Sequence, residues 1–232
     1  MSLLKKTNRM IRILEHVDRD YAPATFACSF SIEDMIIADT IFNRFPNIEV
    51  FTIDTGRIHE ETHEFIQQVR SHYQQEIKSY FPDPNNIEHL VNSFGPNGFY
   101  KSIELRKTCC DSRKLMPLNR ALINKRAWVS GLRRQQSELR SSVSPLQWDS
   151  AHQIPKFNPL YDWSTAQAWE YIHNNAIPYN SLYDRGYTSI GCAPCTKIVL
   201  NNDANDLMAG RWWWERDAQK ECGIHEIPEK VS

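Results

Sequence analysis

No stretch of the sequence approaches the roughly 18 apolar residues that a membrane span requires. Nor is there an excess of one charge: 27 basic against 28 acidic residues leave a formal net charge of −1. No basic field therefore gathers nucleic acid, and any anion site is local. Internal repeats, low-complexity segments and linkers are missing too, which leaves one domain with a C-terminal tail. The chain has no Gly-Lys-Ser/Thr triplet, which excludes a P-loop. Residues 1–12 carry Lys5, Lys6, Arg9 and Arg12 without an apolar signal core. They read as an amphipathic helix, with Leu4, Ile11, Ile13, Leu14 and Val17 as core contacts. A cytoplasmic protein is expected. In that reducing compartment six cysteines point to metal or redox work, not to a disulfide framework.

What is present reads as alternating strands and helices. Strands are expected at 24–30, 48–53 and near 77–81, with helices from Ser31 to about Phe45 and from about His59 to Tyr73. This alternation predicts right-handed βαβ units and a parallel sheet. Residues 82–98 read as turn-rich. A helix is expected from near Cys109 past Leu122, with Pro117 an interruption or a boundary. Residues 126–130 form another strand, and Ser164 with Gln167 matches a capping box opening a helix to Asn174. The division expected is an α/β domain over residues 1–206 and a tail over 207–232.

Several segments carry chemistry. Ser29-Phe30-Ser31-Ile32-Glu33-Asp34 turns from a strand into a helix, where free amides and two hydroxyls suit a phosphate, although most such turns are only caps. Asp54-Thr55-Gly56-Arg57 ends the next strand, where parallel sheets gather ligands. The loop from Gly131 brings Arg133, Arg134 and Arg140. Their forked donors suit phosphate or sulfate, and the competing reading is a solvated charged loop. Cys109-Cys110 and Cys192-Ala193-Pro194-Cys195 are two thiol pairs able to hold zinc or a [4Fe–4S] cluster. Zinc sites space their cysteines about two to four residues apart, so adjacency favours the cluster. A thioredoxin-type dithiol at Cys192 and Cys195 is the alternative, but no tryptophan precedes the pair. Arg113 and Lys114 would offset the cluster's charge.

Cys28 lies in an apolar run and reads as packing. Trp212, Trp213 and Trp214 are consecutive and cannot all face one core, so some anchor the tail or a partner. Cys222, within Lys220-Glu221-Cys222-Gly223-Ile224-His225, is a candidate mobile nucleophile. Lys220 and His225 favour its thiolate, and Glu221 opposes it.

Together these segments resemble the adenylyl-sulfate reductase family of sulfate assimilation, a relative of the ATP pyrophosphatases. They run in family order from Ser29 to His225. The resemblance implies an α/β fold: one domain with a parallel-rich sheet and helices on both faces, adenine nucleotide alpha hydrolase-like, with a mobile C-terminal tail. It implies that adenosine 5′-phosphosulfate lies across the strand ends. Ser29, Phe30, Ser31, Asp54, Thr55, Gly56 and Arg57 would surround the nucleotide. Lys114, Arg133, Arg134, Arg140 and Arg211 would hold the phosphosulfate, with His225 in the same binding set. Cys109, Cys110, Cys192 and Cys195 would ligate a [4Fe–4S] cluster with structural and electrostatic roles.

In the implied reaction Cys222 attacks sulfur, AMP leaves, and thioredoxin or a glutaredoxin-like reductant frees sulfite from an S-sulfocysteine. The resemblance also implies a homo-oligomer, with no nucleic-acid or membrane partner. Met208 stands where relatives often carry a further arginine. The thioredoxin-like domain of plant relatives is not found, so the reductant is expected to be a separate protein. The rival substrate is 3′-phosphoadenylyl sulfate, alone or alongside the first. Reductases specific for it lack the two cysteine pairs, which favours the non-phosphorylated substrate. An adenylating tRNA sulfurtransferase would need a Ser-Gly-Gly-x-Asp-Ser loop, whose glycines are missing from 29–34. A non-catalytic metal module would leave Cys222 unexplained.

Overall fold

In the computed structural model, residues 1–199, 207–215, 221 and 224 are described. After α1 (Leu3–Asp20), the strands β1 (Ala24–Ala27), β2 (Ile48–Ile53) and β3 (Lys78–Tyr80) alternate with α2 (Ile32–Arg44) and α3 (Glu60–Tyr73). Then follow α4 (Pro84–Phe94), α5 (Ile103–Cys110), α6 (Met116–Ala121), β4 (Ala127–Val129), β5 (Leu146–Asp149), β6 (Ile154–Phe157) and α7 (Thr165–Asn174). The sheet order is β3-β2-β1-β4-β6-β5, parallel throughout except where β5 runs antiparallel to β6.

Side chains alternate across a strand, and here the alternation divides two cores. Ala24, Phe26, Ile48, Val50, Ala127 and Val129 pack with Leu14 of α1, Ile36 of α2, Val69 of α3 and Ile172 of α7. Phe51 and Trp128 point the other way, onto Leu118 and Ala121 of α6 and the adjoining Leu122. Helices thus cover both faces. Each fully buried Phe, Leu or Ile contributes about 1.5–3 kcal/mol, so this double core is the main source of stability.

Local rules explain most element ends. Ser31 caps α2, its hydroxyl accepting from the Asp34 amide at 3.3 Å. The Ser164 capping box forms as expected, with Gln167 N donating to Ser164 Oγ at 3.1 Å and Ser164 N to Gln167 Oε1 at 3.0 Å.

Four expectations need correction. Residues 82–98 are not merely turns: Asp83 accepts from the Asn85 and Asn86 amides and Pro84 opens α4. The helix around Cys109 starts earlier, at Ile103, ends at Ala121 and is not uniformly α. It runs as α5, widens into a π-helical turn over Asp111–Leu115, and continues as α6 with Pro117 in its first turn. The first strand ends at Ala27, because the backbone turns sharply to place Phe30 at φ 62°. In α1 the buried residues are Lys6, Met10, Leu14 and Val17, with Ile11 and Ile13 partly buried against the core; of the expected contacts Leu4, 69% exposed, is the one that misses it.

Candidate functional site

The sheet reverses direction at β1, with β2 and β3 on one side and β4 and β6 on the other. Such a switch point leaves a crevice at the carboxyl ends of the strands. A cavity of about 220 Å³ opens there, walled by residues 27–31, 51–53 and 130–132 from the ends of β1, β2 and β4. Thr55, Lys114, Arg140, Met208 and Arg211 also line it.

The turn after β1 is braced by Asp34, which accepts from both Ser29 N and Ser29 Oγ at 2.6 Å. Phe30, held between them, packs its buried ring edge-on to Phe65 at 6.0 Å. A Cβ on Gly131 would overlap Asp34 Oδ1, so glycine is what lets the end of β4 approach this turn. Burial raises the Asp34 carboxyl to about 7, against the opposing hydrogen bonds from Ser29.

The turn after β2 divides its duties. Asp54 accepts from Gly56 N at 2.8 Å and meets His63 Nε2 at 2.9 Å, a contact that raises the His63 pKa. Gly56 adopts φ 69°, where glycine is free of strain. Thr55 lines the cavity, and its hydroxyl lies 3.3 Å from Cys192 Sγ. Arg57 turns away to Pro96 O and Asn97 Oδ1, both at 2.8 Å, with its guanidinium over Phe99.

Cys109, Cys110, Cys192 and Cys195 line one smaller cavity of about 20 Å³, together with Arg57, Arg106, Arg113 and Lys114. α5 delivers the first pair at its C-terminus. The second pair is tied down by Ala193 N donating to Arg57 O at 2.8 Å. Arg113, in the π-helical turn, donates to Thr55 O at 2.6 Å. Among the described residues no group of three or more His, Cys, Asp or Glu is placed to hold a metal ion. The donor set is four thiols lining one cavity together with four cationic side chains, a set whose chemistry suits zinc or an iron–sulfur cluster.

Burial raises the Cys109 thiol and, reinforced by Cys192, pushes Cys195 up to about 12. Burial also acts on Cys192, but Lys114, the Thr55 hydroxyl, Arg211 and Arg113 outweigh it and leave that thiol below its ordinary value. Lys114 and Cys192 line both cavities, so the two share a wall.

The arginines expected on the phosphosulfate separate into two groups. Arg140 and Arg211 line the large cavity; Arg133 and Arg134 do not. Arg133 is fully buried in an ion pair with Glu33, at 2.9 and 2.5 Å, and donates to Trp163 O. Arg134 donates to Val143 O at 2.7 Å and covers the Tyr161 ring. Both brace the loop behind the cavity.

Arg211 lies against Gly191 and over Trp212, and Arg106 lies over the same indole, each guanidinium 4.7 Å from the ring. Trp212 N donates to Cys195 O at 3.1 Å and Lys197 N to Gly210 O at 3.0 Å, so residues 210–212 are pinned to the second cysteine loop. Arg106, bidentate to Glu215 at 2.9 and 3.1 Å, escaped the sequence reading, because nothing local distinguishes it from a surface arginine. Ser189 was also missed; it lines the cavity with its hydroxyl buried. Cys28 is buried, in keeping with packing. Cys222 and His225 lie outside the described residues. Of their neighbours, Ile224 lines the large cavity.

The model of the phosphoadenosine phosphosulfate reductase domain matches residues 23–198. An adenosine 5′-phosphosulfate reductase of Allochromatium vinosum is 44% identical over 215 residues, covering 93% of this chain and 83% of that protein. One of the same name from Burkholderia cepacia is 42% identical over 223 residues, 96% and 88% of the two chains. Among solved structures, a phosphoadenylyl-sulfate (PAPS) reductase from Candida auris, in a phosphate complex, superposes with a TM-score of 0.69 at 25% identity. That match covers 82% of this chain and 90% of the other.

Proposed function

We infer the activity from one premise: this chain belongs to the phosphoadenosine phosphosulfate reductase family. It is an oxidoreductase that reduces adenosine 5′-phosphosulfate in sulfate assimilation. The observation that carries the site is the shared wall between a strand-end cavity and a cavity lined by four cysteines.

The nucleotide is held by Ser29, Phe30 and Ser31 and by Thr55, with Asp54, Gly56 and Arg57 shaping the second turn. Lys114 and Arg211 receive the phosphosulfate. Arg133 and Arg134 act from behind, by holding the loop that follows β4. When bound by Cys109, Cys110, Cys192 and Cys195, a [4Fe–4S] cluster supplies a fixed structural and electrostatic centre beside Lys114.

The Cys222 thiolate attacks the substrate's sulfur. The sulfur–oxygen bond breaks, its electron pair leaves on AMP, and Cys222 keeps the sulfonate. Fixed cations stabilise the charge that gathers on the departing phosphate. A reductant thiolate, from thioredoxin or a glutaredoxin-like protein, then attacks the Cys222 sulfur and sulfite leaves. The reductant's second thiol resolves the mixed disulfide, so one dithiol becomes a disulfide and sulfur gains two electrons. No helix among the described residues is long and apolar enough to cross a membrane. A cytoplasmic homo-oligomer, with Cys222 carried on the part of the tail over residues 207–232 that lies beyond the pinned residues 210–212, completes this reading.

The test is anaerobic sulfite release with reduced thioredoxin, comparing adenosine 5′-phosphosulfate with its 3′-phosphorylated form. Strong preference for the first is expected. Equal rates would make the protein a dual reductase, and no sulfite from either would end the proposal.

A further inference from the structure

Glu221 immediately precedes Cys222 in the chain, and two arginines from distant elements hold it. Its carboxylate accepts from Arg140 Nε at 2.8 Å and from Arg140 Nη2 at 2.5 Å. Its main-chain oxygen accepts from Arg106 Nη1 at 3.2 Å. Arg140 ends a 3₁₀ turn, Glu138–Arg140, in the loop after β4, whereas Arg106 lies on α5 shortly before Cys109 and Cys110. Neither guanidinium faces bulk water, since Arg140 is 7% and Arg106 2% exposed. Their remaining nitrogens are engaged within the chain: Arg140 Nη1 with Gln136 Oε1 at 2.5 Å, and Arg106 Nε and Nη2 with Glu215. A buried arginine is tolerated only when paired in this way, and a two-pronged carboxylate contact fixes orientation as well as distance.

We propose that Arg106 and Arg140 form a dock for Glu221, which makes Glu221 a positioning residue for the chemistry at Cys222. The inference rests on the reading of Cys222 as the nucleophile. Consecutive Cα atoms lie about 3.8 Å apart, so a residue clamped at position 221 restricts the reach of its neighbour. Arg140 then serves the tail, with both prongs of its fork, Nε and Nη2, given to Glu221 and Nη1 to Gln136. Arg106 joins the dock to the cysteine cavity, whose wall it forms, and to Trp212, which it covers.

The test uses the full-length, iron-loaded protein under anaerobic conditions. Glu221→Gln keeps the shape of the side chain and removes its charge, and Arg140→Lys keeps the charge and removes the fork. Protein is mixed with adenosine 5′-phosphosulfate without reductant, and the single sulfonate added at Cys222 is followed by mass spectrometry. Nucleotide affinity is measured separately in a Cys222→Ser background, and iron per chain is counted. Adduct formation should slow by about 10- to 100-fold in both variants, as for a misplaced reacting group. Affinity and iron content should stay unchanged, a split that general loosening of the fold does not produce.

Adduct formation at the parental rate would overturn the proposal. Tighter substrate binding in Glu221→Gln would make Glu221 a competitor for Arg140, and weaker binding in Arg140→Lys would return Arg140 to the substrate; either result overturns it. If the unaltered protein releases sulfite yet forms no adduct at Cys222, the nucleophile reading itself fails and the positioning role falls with it.

Discussion

The two halves of the site are built by different physics. The nucleotide-facing half consists of strand ends and a helix start, backed by the larger hydrophobic core. Its turns are closed by short local bonds such as Asp34 to Ser29. The cysteine-facing half joins the end of α5 and the π-helical turn to loops, and among the described residues its fully buried apolar cluster is Phe99, Cys195, Met208 and Trp212. Charge and rings hold it instead: Arg106 on Glu215, two guanidinium groups on one indole, Arg113 on Thr55. Hydrophobic burial is non-directional and forgiving, while buried ion pairs fail when one partner goes. The first half therefore rests mainly on its apolar core, with the buried Arg133–Glu33 pair behind it, and the second rests mainly on its charged and ring contacts.

The sharpest way to separate the halves from the chemistry is Cys222→Ser. Turnover should fall on the order of 10⁴-fold or more, as when a nucleophile is lost, with iron content and nucleotide binding retained. Cys192→Ala should break one half only, losing iron and most activity. Amide exchange should rise across 191–199 and 207–215 while α1 and α2 stay protected. Normal iron and turnover in that variant would sink the ligand assignment. Arg106→Met strands the Glu215 carboxylate in a buried site and should cost about 3–5 kcal/mol in chemical denaturation.

A pH series sharpens the comparison from the nucleotide side. Asp34 has a folded pKa of about 7 against 3.8 unfolded, so the folded state holds its proton more tightly. Its contribution to stability is complete below the lower value and lost as pH rises through the upper one. Between them the slope is about 1.4 kcal/mol per pH unit, and Asp34→Asn should flatten it. Ser31→Ala should have the smallest effect, about 1 kcal/mol for a lost cap. It should also weaken nucleotide binding, measurable by calorimetry.

What could be read in the chain followed the same divide. β2 over Ile48–Ile53, the Ser31 cap and the Ser164 box depend on neighbours within a few residues, and each stands where local rules put it. α4 carries helix-start signals in Asp83 and Pro84, which the turn-rich reading of 82–98 passed over. The β5–β6 hairpin was not, because its strands are short and polar residues interrupt them. The four cysteines could be grouped by chemistry alone, and they line one cavity. The arginines could not be sorted that way. Arg133 and Arg140 belong to one loop, yet one is committed to Glu33 and the other to Glu221. Such distant partners are set by topology and not by local spacing.

The π-helical turn over Asp111–Leu115 makes residue count, and not only residue identity, part of the site. An α-helix advances about 100° per residue, so a single extra residue re-aims everything beyond it. Deleting one residue there would restore a regular ladder at little local cost, yet it would swing α6 and Leu118 out of register with the cysteine pair. Insertions and deletions in this segment should therefore be far less tolerated than substitutions at its positions other than Arg113 and Lys114, although the helix itself would survive either.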